Sequence, residues 1–514
     1  MKSLLSLTNT PKSLFLSLLA ITFFIKLIIA YQIPMIGDET EYVYWAQHLR
    51  FGYYDHPPLI AWLLHPFAAI STASTWLRLP QMLVTTLLGI AIYSTLSHFD
   101  KEKAYLTASL YLISPLNIID IFILTDTPLI LFSFLAISQM VRAEHRQKIR
   151  YYFLAGLCMG AAFLSKYLMF PLLASVFFFL ILTPKITNRP LKLILFSLGF
   201  LPFFAENVIW NYYHNWVNFL FNTQLRNTDA GFSFHTILTY LLQLIYLFSP
   251  FVVYQLIKTF KDKAHLLRLI KIEPSLRIIL IASFLPLIFY FALSFFKSIG
   301  LHWIFCMYAI FFMALFVILS ESTLKKLCLW MGLYSLLHVV LIALLLSLPL
   351  SIWQNQKFYG QLALLFHYPA IAAKVKNYHD EGFNIATPDY TKSYMIVYRD
   401  NLPVSVWGYS SVHGRGDDLF TDFRQFDGKN IVIVYIVEKD FRDATNYKPY
   451  FKRIETAEYE LKGMKYYIVL GYQFNYPLYR AHYLKAVYQQ YYQDKSVPLL
   501  PPAHDDFGQK YGFQ

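Results

Sequence analysis

The chain is expected to fold as a polytopic α-helical membrane protein with a small C-terminal α/β domain, and three observations carry that expectation. The composition is 57% hydrophobic, 18% aromatic and only 15% charged, with a mean hydropathy of +0.42, which exceeds what a soluble globule usually carries. Apolar stretches near the roughly 20 residues a helix needs to cross the hydrocarbon core recur from 14 to 350. Beyond 350 the pattern changes to short β-rich runs separated by polar turns.

Taken in order, the apolar stretches number about eleven by the length criterion: 14–31, 79–97, 104–119, 127–141, 151–165, 167–183, 193–210, 236–257, 278–296, 303–320 and 327–350. The first has a basic start and an apolar centre but no convincing small-residue cleavage site, so it reads as a retained anchor. Short loops rich in Lys and Arg stay in the cytoplasm. Such bases fill every second turn: Lys101 and Lys103; Arg142, Arg146, Lys148 and Arg150; Lys185, Arg189 and Lys192; Lys258 to Arg277; Lys325 and Lys326. The opposite turns collect acids, namely Asp38, Glu39, Glu41, Asp55, Asp120, Asp126, Glu206 and Asp229. The acidic turns are therefore expected to face outward.

An odd number of crossings from a cytoplasmic start places 351–514 outside as well, so the expected domains are a membrane domain, 1–350, with a first external loop at 32–78, and an extracytoplasmic α/β domain, 351–514. The latter holds 19 basic and 17 acidic residues, so nearly all of the net charge of +13 arises in the membrane half and reports topology. A nucleic-acid partner is not expected, because the bases are scattered over short turns and form no stripe. Strands are predicted at 393–398, 430–437 and 464–471, helices at 361–379 and 477–493, and the Pro-rich end from 496 is predicted as loop or disorder. Cys158, Cys306 and Cys328 fall in predicted membrane helices and read as buried free thiols. No nucleotide-loop or zinc-protease pattern is present.

The chemistry is concentrated at 37–67, GDETEYVYWAQHLRFGYYDHPPLIAWLLHPF. Ionised groups at a membrane face are costly unless they have a function. Tyr42, Trp45 and Leu49 recur at helical spacing, and 59–70 is apolar but too short to span, so both read as helices lying along the interface, a depth that suits aromatics. Nucleotide sugars do not reach the outer face, so a glycosyl donor there must be lipid-linked, and a polyprenyl phosphate fits. The reaction requires a base for the acceptor proton and positive charge for the departing phosphate. Asp38 and Glu39 suit the base by position; the competing reading is that they merely cap the helix. Asp55 and His56 read either as acceptor or metal contacts or as a polar turn before Pro57-Pro58. A divalent ion as cofactor is left open.

Several blocks together resemble the polyprenyl-phosphate-sugar glycosyltransferases of the C-type membrane fold, in particular the bacterial branch related to protein mannosyltransferases and to enzymes that add aminoarabinose or galacturonate to lipid A. The blocks are Gly37-Asp38-Glu39 with Tyr44-Trp45, YYDHPPLIAW at 53–62, LTDTPLI at 124–130, GAAFLSKYLMF at 160–170, IWNYYHNWVNF at 209–219 and KSIGLHW at 297–303. They cover the membrane half in order and leave the C-terminal domain untouched. The resemblance implies that Asp38 is the first-loop acid, with Glu39 completing the pair, and that Asp126 is the second-loop acid. Lys166, Arg226, Lys297 and His302 are candidates for the donor phosphate, against the alternative that they snorkel to lipid headgroups. Trp210 and Trp216 read as interfacial belt residues.

The resulting expectation is an inverting glycosyltransferase of a bacterial inner membrane, its active site and C-terminal domain on the periplasmic side. It would take a polyprenyl-phosphate-linked sugar to lipid A or lipopolysaccharide core, or to a protein as an O-mannosyltransferase-like enzyme. A polytopic transporter is the reading from a different class; it would place charges at mid-membrane on discontinuous helices with repeated halves, and neither pattern is visible.

Overall fold

The structure, a computed structural model, describes residues 10–223, 231–388, 390–409, 416–435, 444–493, 495–497 and 500–513. Its chain divides into two compact units, one of 1–32, 78–205 and 229–346, the other of 33–77, 206–228 and 347–514.

The first unit is helical. Among the described residues, six stretches are long and apolar enough to cross a membrane: Pro11–Gln32, Ser74–Leu96, Arg189–Tyr213, Pro274–Ser294, Leu301–Ile318 and Glu321–Ser347. Phe234–Phe248 and Pro250–Phe260 would make a seventh if taken as one span, but they meet at 102° across Ser249. Pro250 lacks the N–H that would continue the first helix, which is why the chain turns there. The chain is thus a multi-pass membrane protein. Each of the eleven predicted stretches contains helix, although several are shorter than expected; the third is interrupted between Lys101–Leu112 and Pro115–Ile119 by another proline.

Helix contacts here follow membrane rules, with small residues admitting close approach and polar groups pairing inside. A Cβ on Gly156 would lie 2.0 Å from the Phe196 carbonyl oxygen, and one on Gly199 would lie 2.3 Å from that of Phe153. Helices Arg150–Phe163 and Arg189–Tyr213 therefore touch backbone to backbone. Nearby, Lys192 Nζ lies 2.6 Å from Glu144 Oε1, to which Tyr152 also donates at 2.7 Å. Lys26, fully buried, donates to Thr85, Thr86 and Asn117.

Among the described residues, the second unit is built on a five-stranded mixed sheet of β1 (Asn384–Thr387), β2 (Val404–Val406), β3 (Ile431–Tyr435), β4 (Phe451–Leu461) and β5 (Met464–Phe474), in the order β2-β1-β3-β5-β4. β1 runs parallel to β2 (Ile385 opposite Val404) and to β3 (Asn384 opposite Ile431), while β3, β5 and β4 are antiparallel neighbours. Every residue of β3 is buried, as an unbroken apolar run between two neighbouring strands requires. β4 is the opposite case, an edge strand studded with Lys452, Arg453, Glu455, Glu458 and Glu460 that discourage further pairing. Trp407 sits at the centre of an aromatic core, its ring 4.6 Å from Tyr479 and 5.5 Å from Phe451.

The predicted helices are found at Tyr359–Asp380 and across Tyr476–Tyr491, the latter with a π turn at Arg480–Leu484. Two expectations are overturned. Residues 393–398 are not a strand but belong largely to helix Tyr390–Val397. The run SYMIVY is apolar throughout, with Tyr394 to Tyr398 all buried, and such a run is compatible with either element. The Pro-rich end is not loop alone: Asp506–Tyr511 is helical, Asp505 caps it by accepting from Gly508, and Phe507 and Tyr511 enter the aromatic core. The unit that contains this end also contains residues 33–77.

Candidate active site

The acidic pair opens helix Gly37–Gln47 in the second unit. Ile36 is extended (φ −84°, ψ 166°), and the Glu39 carboxylate reaches back to accept from the Ile36 amide at 3.1 Å, satisfying a donor that helix starts leave open. Neighbouring positions on a helix point about 100° apart. Glu39 is consequently fully buried while Asp38 is exposed. Glu41, on the same helix, is buried too; sequence reading left it without a role, although its spacing of three from Asp38 puts the two on adjoining faces.

Behind this helix lies the turn of Tyr53 to His56. The Tyr53 ring stacks on Trp45 at 4.1 Å, its hydroxyl donates to the Trp45 carbonyl at 3.0 Å, and its amide donates to the His56 carbonyl at 3.1 Å. Burial raises the phenol well above its ordinary range, so it remains a donor. His56 Nε2 is 3.8 Å from Asp55 Oδ2, both residues being 8% exposed, and the imidazole meets the edges of Tyr42 and Trp45. Pro57 and Pro58 then lead into helix Leu59–Ala68. Asn218 donates to the Tyr53 carbonyl and Asn222 to that of Asp55, each at 2.9 Å. Neither asparagine was singled out from sequence, and no local pattern marks them.

The same unit explains Trp210 and Trp216. A Cβ on Gly52 would fall 2.4 Å from the Trp210 ring, so only glycine admits that indole. Trp210 in turn stacks on His214 at 4.3 Å. Trp216 is buried and its indole N–H donates to the Pro501 carbonyl at 2.8 Å. Both tryptophans are therefore largely packing residues of this unit.

In the first unit, Asp126 starts helix Asp126–Arg146 and receives both contacts of Lys166, at 2.8 and 3.1 Å. The pair is buried. Next to Lys166, the Leu168 carbonyl accepts from Tyr290 at 2.9 Å, and Tyr290 meets Trp303 edge to face. Lys297 lies over the Trp303 ring at 5.4 Å, and His302 belongs to the 3-10 turn Leu301–Met307. Arg226 lies outside the described residues. The candidates thus fall into two groups: Asp38, Glu39, Asp55 and His56 in one unit, and Asp126, Lys166, Lys297 and His302 in the other. Among the described residues, no three His, Cys, Asp or Glu side chains are grouped so as to hold a metal ion.

Residues 55–210 match the family described as dolichyl-phosphate-mannose-protein mannosyltransferase. A lipid A galacturonosyltransferase, RgtD of Rhizobium johnstonii, is 30% identical over 134 residues, which is 25% of this chain and 28% of that relative. The matched stretch therefore spans little more than a quarter of the relative's length. The fold is that of ArnT from Cupriavidus metallidurans in its apo state, with a TM-score of 0.61 at 15% identity over 88% of this chain and 97% of the other. By these matches the chain is similar, over residues 55–210, to the dolichyl-phosphate-mannose-protein mannosyltransferase family, and its fold is that of ArnT.

Proposed function

We propose that this chain is an inverting glycosyltransferase that moves a sugar from polyprenyl phosphate to lipid A or lipopolysaccharide core, its site opening to the periplasm of a bacterial inner membrane. The observation that carries the reading is the division of labour at 38–39. Glu39 caps the helix, and that leaves the Asp38 carboxylate exposed on the first turn. An exposed carboxylate there suits a general base. In the step proposed, the acceptor oxygen attacks the anomeric carbon, Asp38 takes the acceptor proton, and the carbon–oxygen bond to phosphate breaks with its electron pair leaving on phosphate. One displacement inverts the centre. Positive charge for the departing phosphate would come from Lys297, His302, Lys166 and Arg226, and contact with the acceptor from Asp55 and His56, with Asp126 orienting the Lys166 ammonium. No step is routed through a metal.

The lipid A acceptor is favoured by the likeness to a lipid A galacturonosyltransferase. A protein acceptor, by O-mannosyl transfer, is the second reading, favoured by the family match over 55–210. Mass spectrometry of lipid A and of secreted proteins, from cells with the intact chain and with Asp38→Asn, separates them. The expected result is loss of one sugar mass from lipid A in the variant, at unchanged membrane abundance. A lipid A profile identical in both strains, with a hexose missing from proteins, would transfer the assignment to the second reading; no difference in either pool removes Asp38 from the chemistry.

A further inference from the structure

We propose that the C-terminal tail, residues 500–513, is a brace that fixes the Tyr53–His56 turn for catalysis, acting through Asn215, Trp216, Asn218 and Asn222 as positioning residues. The inference rests on the transferase reading for its catalytic consequence, and on geometry alone for the mechanical one. The corner at 215–216 is strained. Asn215 and Trp216 have φ of 55° and 54°, a left-handed conformation that asparagine tolerates and a bulky residue such as tryptophan ordinarily avoids. Two successive residues of this kind persist only where their surroundings over-determine them.

The tail supplies those surroundings. Trp216 donates its indole N–H to the Pro501 carbonyl at 2.8 Å, Asn215 Nδ2 donates to Asp505 Oδ1 at 2.8 Å, and Asn215 Oδ1 accepts from the Asp506 and Phe507 amides at 3.1 and 3.4 Å. The His504 amide donates to the Tyr212 carbonyl at 3.0 Å just before the corner. Asp505 is itself held by the Tyr488 hydroxyl at 2.6 Å, so the brace is anchored in the sheet unit's aromatic core. Immediately after the corner comes the short helix Val217–Thr223. Positions 218 and 222 are four apart and share one face, and both side chains donate at 2.9 Å to carbonyls of the catalytic turn, Asn218 to Tyr53 and Asn222 to Asp55. Tail, corner, helix and turn form one unbroken series of hydrogen bonds within a single unit. Its register is set by the corner: rotating the helix by one residue would take both amides off their carbonyls.

The experiment is hydrogen–deuterium exchange on the full chain in lipid nanodiscs, with the double variant Asn215→Gly/Trp216→Phe. Glycine retains the left-handed conformation while removing the amide, and phenylalanine retains the ring while removing the N–H. Exchange of the 50–58 amides should rise by about fivefold or more, the equivalent of one or two lost hydrogen bonds, while β3 and β5 exchange as in the parent. Unchanged exchange at 50–58 overturns the proposal, and so does an equal rise across β3 and β5, which would mean general loosening. Where transfer is measured, kcat should fall at least roughly tenfold and KM for the acceptor should rise, because the turn that carries the acceptor contacts Asp55 and His56 is misplaced. Asp505→Asn, which keeps one acceptor oxygen, should recover much of the rate that Asp505→Leu loses. If Asp38→Asn proves without effect on transfer, the catalytic reading fails while the exchange result still decides the brace.

Discussion

Two adjacent carboxylates need not do the same work, and at positions 38 and 39 the difference is set by the helix start. Glu39→Gln keeps an oxygen for the Ile36 amide and should retain activity, whereas Glu39→Leu should lower the unfolding temperature by the equivalent of about 0.5–2 kcal/mol, as lost caps do. Thermal unfolding of the three proteins, compared with Asp38→Asn, tests this: the Asp38 variant should melt like the parent. His214 supplies a pH dependence. Burial holds its imidazole below the usual range, outweighing the hydrogen bond to the Trp210 carbonyl and the attraction of Asp506, with Arg50 and Lys510 adding to the depression. A folded-state value below the unfolded one, about 6.5, means that stability is complete above that pH and is lost as pH falls through the folded value. Because His214 stacks on Trp210 and Trp210 lies on Gly52, the loop that follows Gly52 should loosen in acid. His214→Phe should flatten the fall in melting temperature between pH 7 and 5; a slope equal to the parent's would assign the acid sensitivity elsewhere.

At the scale of elements, the buried Glu144–Lys192 pair ties helix Asp126–Arg146 to Arg189–Tyr213, with Tyr152 as its third member. Breaking a buried pair strands one charge and typically costs about 3–5 kcal/mol, while replacing both partners is far milder. Glu144→Leu should thus reduce the yield of folded protein sharply, and Glu144→Leu/Lys192→Met should restore most of it, a recovery readable by size-exclusion chromatography in detergent. The membrane helices were legible because a span must be long and apolar, and the acidic pair was legible because charge next to such spans is conspicuous. Other elements were hidden for physical reasons. β4 carries so many charges that its alternation reads as a solvated turn, and 393–398 is apolar on every face, which erases the period that separates helix from strand. The last helix is short and preceded by prolines, and the contacts of its segment with Tyr212, Asn215 and Trp216 are too distant in sequence to be read from it.

For the whole molecule, the sequence separates what folding joins. Residues 33–77 read as an adjunct of the membrane domain, and 351–514 as an autonomous appendage, yet they share one unit with 206–228. Hydropathy ranks segments by solvent preference and carries no information about partners, so Asn218 and Asn222, the groups that hold the turn, could not be recognised from sequence. They sit about 165 positions from the carbonyls they bind. Asp38, Asp55 and His56 could be named as candidates because they lie close together in one sequence block.

That arrangement sets a schedule for biogenesis. The turn around Asp55 leaves the ribosome some 450 residues before Asp505, the residue that anchors its brace. At about 5–20 residues per second, synthesis of the intervening chain occupies roughly 20–90 s. Through that interval the turn lacks the segments that brace it. On the transferase reading, a nascent chain arrested before residue 500 would carry the turn around Asp55 without its brace and be enzymatically silent.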